Sequence, residues 1–181
     1  MNILKIMNRR NKAILCILPI IILSSCAGKN SIEDTRNYSD YDSHVISLDD
    51  FYKQDGYYAV YIYRETCGDC APIKGEVLDY LDAFDAGNKK TFASFNLVAL
   101  STYGTPTGTI ERAKFKDKGD SFDSDDKAQV KLLIAEMDRN MPSSLSETYF
   151  FGTPSLYIIK DNRYQSLLLG ADEIPNYLST H

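Results

Sequence analysis

The feature that most constrains this chain is the run Tyr57 to Tyr63 (YYAVYIY), followed after Arg64-Glu65-Thr66 by Cys67-Gly68-Asp69-Cys70. An aromatic and β-branched run with no polar alternation reads as a strand buried on both faces, and such strands lie in sheets covered on two sides. A helical stretch follows the second cysteine to about Phe84, with Ile73, Val77, Leu81 and Phe84 at helical spacing on one face. Gly87 is placed to stop that helix. The cysteine pair therefore sits between a buried strand and the start of a helix.

The rest of the pattern extends this unit. Phe92 to Leu100 (FASFNLVAL) reads as a second strand. Leu156 to Lys160 and Ser166 to Leu169 read as two more, joined by the turn Asp161-Asn162-Arg163. Ala171 to Leu178 is the expected closing helix, with Pro175 obscuring its start, and Ser47 to Tyr52 opens a short helix with Ser47 as its cap. Between Ser101 and Glu147 the chain is polar, loop-like to Asp126 and then helical to Met141. Val130, Leu133, Ile134, Met137 and Met141 make the apolar stripe of that helix and read as packing residues. Strand–helix–strand, an insertion, then a hairpin and a helix point to an α/β domain, with no internal repeat.

Composition excludes several classes. A chain of 181 residues, 44% hydrophobic and 25% charged, is globular and not a low-complexity or disordered polymer. A formal charge of −5 argues against a nucleic-acid binder working through a basic face. The charge is unevenly spread. Lys5, Arg9, Arg10 and Lys12 precede a short apolar run from Ala13 to Leu23, too short for a bilayer span, which needs about 20 residues in a helix. A basic start, a short apolar run and small residues after it make a secretory signal peptide. Its ending, Leu23-Ser24-Ser25-Cys26, resembles the lipobox of bacterial lipoproteins, in which the cysteine is acylated and becomes the mature N-terminus. A plain signal peptide or an uncleaved anchor is the alternative.

On this reading residues 1–25 are the signal, Cys26 carries lipid, 26–43 is a flexible polar tether, and 44–181 is the folded domain. Removing residues 1–25 takes away four positive charges and leaves a net −9. Two acyl chains on one cysteine suffice for stable anchoring. The expected location is the cell envelope, on the extracytoplasmic side of a membrane.

Cys67 and Cys70 carry the expected chemistry. At a helix N-terminus, unpaired N–H groups and the helix dipole favour a thiolate on the first cysteine. The second lies close enough to resolve a mixed disulfide, and Gly68 keeps the approach to the first sulfur open. Three other readings compete. Zinc would need two further ligands, and only His44 and His181 are available among histidines. A structural disulfide closing so short a loop removes little chain entropy. A reduced, inert pair is unexpected outside the cytoplasm. A second feature lies far away in sequence: Gly152-Thr153-Pro154 puts a proline immediately before a strand, where proline is tolerated.

Together these pieces resemble the thioredoxin family. YYAVYIYRETCGDC with its following helix, and GTPSLYIIKDNRYQSLLLG with the closing helix, cover about half of the mature chain in the family's order. The resemblance implies a thioredoxin-like fold: a central mixed sheet flanked by helices, here with a partly helical insertion at about 101–147. It implies that Cys67 is the attacking thiolate and Cys70 the resolving thiol. It also implies that Pro154 is a cis-proline facing them and that Thr153 lends backbone contacts to substrate, beside Gly68 and Asp69.

The chain departs from the family in three places. It has no tryptophan, and Thr66 precedes the first cysteine. The buried acid usual six positions before that cysteine is replaced by Tyr61, leaving Glu65 or Asp69 as candidates for proton transfer unless both are solvated surface charges. Asp69 beside Cys67 opposes the helix dipole and raises the thiolate pKa, which leans towards a reductant or mild exchanger. A separate cluster, Asp117, Asp120, Asp123, Asp125 and Asp126, lacks the register of a calcium loop and reads as a solvated loop ending in a helix cap.

The expected function is a membrane-tethered thiol–disulfide oxidoreductase. It would act on extracytoplasmic protein thiols and disulfides, with a membrane redox partner, no cofactor beyond its own disulfide, no metal and no nucleic acid. The alternative is a non-catalytic scaffold lipoprotein with a static Cys67–Cys70 disulfide.

Overall fold

The computed structural model describes residues 35–100 and 124–181. The expected signal segment 1–25, the expected lipidation site Cys26, the start of the expected tether, and the acidic cluster from Asp117 to Asp123 lie outside these residues.

Four strands form one sheet: β1 (Tyr57–Tyr63), β2 (Ser94–Ala99), β3 (Ser155–Lys160) and β4 (Arg163–Leu169), in spatial order β2-β1-β3-β4. β1 runs parallel to β2 and antiparallel to β3, and β3 pairs antiparallel with β4. The described residues also contain three α-helices: α1 (Lys74–Asp85), α2 (Ser124–Asn140) and α3 (Gly170–Thr180). This strand order, with one parallel and two antiparallel neighbours, is a thioredoxin-like fold of the α/β class, as expected.

The unbroken apolar run does what its pattern requires. Alternate residues Ala59, Tyr61 and Tyr63 enter a core with α1 and α3, built also from Val77, Leu81, Ile174 and Leu178. Tyr58, Val60 and Ile62 enter a second core on the opposite face, with Phe51, Tyr157, Tyr164 and Met137 of α2. Each large side chain removed fully from water contributes about 1.5–3 kcal/mol relative to an exposed one, so a strand buried on both faces anchors both layers.

The termini of elements follow from local chemistry. At the end of α1, Gly87 takes φ +72° and its N–H donates to the Phe84 carbonyl (2.9 Å), while the Asn88 N–H donates to Ala83 (2.8 Å). This double closure satisfies carbonyls the helix leaves unpaired, and it needs a left-handed residue at position 87. The β3–β4 turn uses only Asp161 and Asn162, both left-handed (φ +51° and +60°), so Arg163 belongs to the strand. A two-residue turn of that hand matches the twist of its strands. α3 starts at Gly170, ahead of Pro175, where the Leu169 N–H donates to the Glu173 carboxylate (3.0 Å).

Two expectations need correction. Residues 38–43, expected to be part of a flexible tether, are folded. Tyr38–His44 forms a 3₁₀ helix that places Tyr38 and Tyr41 on one side, 2% and 8% exposed, in the core that also holds Cys67 and Cys70. Polar bonds fasten the same segment. Arg36 pairs with Asp79 and Asp82, the Tyr41 hydroxyl donates to Asp82 (2.6 Å), and Lys74 donates to Asn37 (2.8 Å). Two aromatics three apart among acids and serines make no apolar periodicity, which is why the segment reads as a spacer. The second correction concerns Met141. It leaves the stripe of α2, takes φ +47° just past the helix end and is 39% exposed, whereas Met137 is buried.

Candidate active site

The site grows from the exit of β1. After Tyr63 the chain turns, with the Cys67 N–H donating to the Arg64 carbonyl (3.2 Å), and the N–H groups of Cys70 and Ala71 both donating to the Cys67 carbonyl (3.2 and 3.3 Å). A 3₁₀ turn over Ala71–Ile73, with Pro72 in its first positions, then leads into α1. Pro72 supplies a preset φ where its missing N–H costs nothing. The backbone N–H that reaches the first sulfur is that of Cys70, just ahead of the 3₁₀ turn, and its nitrogen lies 3.2 Å from Cys67 Sγ.

Cys67 and Cys70 pair as a disulfide, with Cα atoms 5.2 Å apart. Their residual exposures are 5% and 3%, so the pair lies at the lip of the core. Gly68 and Asp69 between them are exposed. A Cβ at Gly68 would meet nothing within 4 Å, so the space over the loop is open. Asp69 makes no hydrogen bond or ion pair among the described residues, and Glu65 and Thr66 are exposed as well.

The other half of the site comes from the approach to β3, where the Thr153–Pro154 peptide bond is cis. Sheet register brings it to the cysteines. Ile62 faces Ser155 in the β1–β3 ladder, so residues just past the end of β1 lie across from those just before β3. Thr153 meets Cys67 twice: its hydroxyl donates to Sγ at 3.2 Å, and its carbonyl oxygen lies 3.3 Å from the same sulfur. Arg64 Nε–H donates to the Thr153 hydroxyl oxygen at 3.1 Å. Pro154 is buried, and its carbonyl accepts from the Gly170 N–H (3.1 Å), tying the loop to the start of α3.

Tyr61, six positions before Cys67, is fully buried and accepts a hydrogen bond from the Tyr38 hydroxyl (3.2 Å). Burial, more than any neighbouring charge, pushes the phenols of Tyr61 and Tyr63 up to about 12, and that of Tyr38 further still. These three phenols, held neutral by burial, belong to the same buried cluster as Cys67 and Cys70.

The structure brings Cys67, Cys70, Thr153 and Pro154 together and leaves Gly68 and Asp69 on the rim; Cys26 lies outside the described residues. Two residues at the site carry no local signal in the sequence: Arg64 and Tyr38. Pairing 57–63 against 155–160 in antiparallel register would have set Arg64 across from Thr153, but that pairing is a tertiary fact. His44 and His181 are both engaged elsewhere, His44 with the Phe95 carbonyl (2.7 Å) and Asp85 (2.9 Å), and His181 stacked on Tyr177 (3.9 Å). Among the described residues no group of three or more His, Cys, Asp or Glu is gathered for a metal ion.

No family model and no curated protein matches the chain. Among solved structures it is similar to one from a study of the thiol resolving mechanism in yeast mitochondrial 1-Cys peroxiredoxin via glutathione/thioredoxin systems, at 12% identity over 76% of this chain and 92% of that one, TM-score 0.38. It is similar to mitochondrial thioredoxin 3 from Saccharomyces cerevisiae in its oxidized form, at 14% identity over 77% and 93%, TM-score 0.37. It is also similar to thioredoxin f2 from Chlamydomonas reinhardtii, at 12% identity over 75% and 90%, TM-score 0.36. The thioredoxin-like fold is assigned on the strand order and pairing of this chain itself.

Proposed function

We propose that this protein is a thiol–disulfide oxidoreductase, held by lipid on Cys26 at the extracytoplasmic face of a membrane. The observation that carries the redox reading is the Cys67–Cys70 pair at the exit of a buried strand, under an open loop and against the Thr153–Pro154 turn. In the reducing direction the Cys67 thiolate attacks one sulfur of a protein disulfide. The new S–S bond forms as the substrate's own breaks, and the second substrate sulfur leaves as a thiolate. Cys70, deprotonated in turn, attacks Cys67 Sγ, releasing the substrate as a dithiol and leaving the Cys67–Cys70 disulfide. A dithiol partner in or at the membrane restores the reduced pair; the oxidising direction runs the same steps backwards. Thr153, Pro154, Gly68 and Asp69 line the surface that substrate would meet. The lipobox-like ending at Cys26 and the net −9 of the processed chain support an anchored acidic domain that acts on proteins in the envelope.

A non-catalytic scaffold is the second reading, and the low exposure of both cysteine residues, 5% and 3%, favours it. Insulin reduction by dithiothreitol separates the two. Catalysis is expected from the wild type and none from Cys67→Ser; a wild type no faster than the uncatalysed control overturns the enzyme reading. In cells, Cys70→Ser is expected to accumulate mixed disulfides through Cys67, and Cys26→Ser to move the protein from the membrane fraction to the soluble one.

A further inference from the structure

Cys67 Sγ faces two groups of one residue that pull in opposite directions. The Thr153 carbonyl oxygen, 3.3 Å away, is an acceptor that suits a protonated thiol and repels a thiolate. The Thr153 hydroxyl, 3.2 Å away, suits a thiolate, but only when its proton points at the sulfur. A hydroxyl has one proton and rotates to suit its surroundings. What decides its direction is the third group. Arg64 Nε–H can only donate, and at 3.1 Å it occupies a lone pair of the Thr153 oxygen, leaving that hydroxyl's own proton free to aim at Cys67. Guanidinium is a cation, so the oxygen that donates to sulfur is polarised by a positive charge.

We infer that Arg64 is a positioning residue that acidifies Cys67 through the Thr153 hydroxyl. The inference rests on reading Cys67 as the exchanging thiol and adds to it a relay joining the end of β1 to the turn before β3. The step it assists is simple in balance: the Cys67 thiol gives its proton to bulk water, and the thiolate accepts hydrogen bonds from the Thr153 hydroxyl and the Cys70 N–H (3.2 Å). Chains of hydrogen bonds strengthen one another when each donor is itself polarised. The relay runs against the lean towards a reductant drawn from Asp69. That carboxylate is exposed and screened by water, whereas Arg64 and Thr153 are half-buried beside the sulfur. By stabilising the reduced form, Arg64 moves the pair towards oxidant.

The test is the pH dependence of iodoacetamide alkylation at Cys67, resolved by mass spectrometry in the reduced full-length chain. Arg64→Met and Thr153→Val are each expected to raise the midpoint by about one unit, a tenfold fall in thiolate at a given pH and about 1.4 kcal/mol. Thr153→Ser keeps the hydroxyl and is expected to keep the wild-type midpoint, and Arg64→Lys to recover part of the shift. Because the residues act in series, Arg64→Met with Thr153→Val together should move the midpoint no further than either alone. Unchanged midpoints in the single variants, or additive shifts in the double, overturn the relay. Should Arg64→Met fail to fold, Arg64→Lys and the two Thr153 variants decide by the same criteria. Insulin turnover by the wild type is read separately. A chain that does not turn over but shows these shifts retains the relay and loses the enzyme reading, and the reverse result does the opposite.

Discussion

The Tyr38 hydroxyl donates to the Tyr61 hydroxyl across 3.2 Å, joining a 3₁₀ turn upstream of the sheet to the middle of its central strand. Tyr61 and Tyr63 stack with their planes 8° apart, and the Tyr38 ring lies 4.0 Å from that of Tyr63. Three phenols thus fill the space on the cysteine side of β1, and the turn that supplies one of them is part of the domain and not a spacer.

Tyr38→Phe should lower stability by about 1–3 kcal/mol, since the buried Tyr61 oxygen loses its partner. Tyr38→Ala should cost about 3–5 kcal/mol, since a buried ring is replaced by a cavity. Urea unfolding of both variants against wild type measures the two costs. Values near zero for both would return residues 38–44 to the tether.

The same cluster makes the protein labile to alkali. The folded-state pKa of Tyr61 is raised to about 12, mainly by burial, against about 10 when unfolded. The folded state therefore holds the proton more tightly. Its stabilising effect is complete below pH 10 and is lost as pH rises through 12, by up to about 1.4 kcal/mol per pH unit for this residue. Unfolding midpoints at pH 8, 10 and 11, read with tyrosinate absorbance, should fall together over the upper interval. A midpoint constant to pH 11 would contradict buried, neutral phenols.

Reduction of Cys67–Cys70 should leave the domain folded. The cysteines are three positions apart, and the chain-entropy model assigns so short a loop about 2 kcal/mol. Thermal unfolding with and without dithiothreitol should show a shift of several degrees, with unchanged far-UV circular dichroism at 25 °C. Loss of secondary structure on reduction would mark the pair as a structural staple.

Gly87→Ala isolates backbone strain from packing. A Cβ there would meet nothing within 4 Å, yet φ is +72°. The left-handed conformation costs an alanine about 1–2 kcal/mol, and the full amount should appear in equilibrium unfolding with no change in the alkylation midpoint of Cys67.

Much of the fold was legible because it is written in short-range pattern. Tyr57–Tyr63 could be read as a doubly buried strand, the stripe from Ile73 to Phe84 as a helix face, and Gly87 as its stop. Each follows from residues a few positions apart and from the geometry of one element. The limits of that reading lie where a single side chain must find a distant partner. Tyr38 looks like any tyrosine among acids until a core is present to receive it, and Arg64 looks like any charge at a strand end.

The sequence by itself determined that a cysteine pair would stand between a buried strand and a helix, since strand, loop and helix are contiguous and their periods differ. Only the tertiary structure decided what surrounds the first sulfur. Arg64 and Thr153 are 89 positions apart, and their contact exists because β3 returns antiparallel to β1 in the register that sets Ile62 against Ser155. Register is selected by the packing of both sheet faces at once, so neither half of the chain contains it alone.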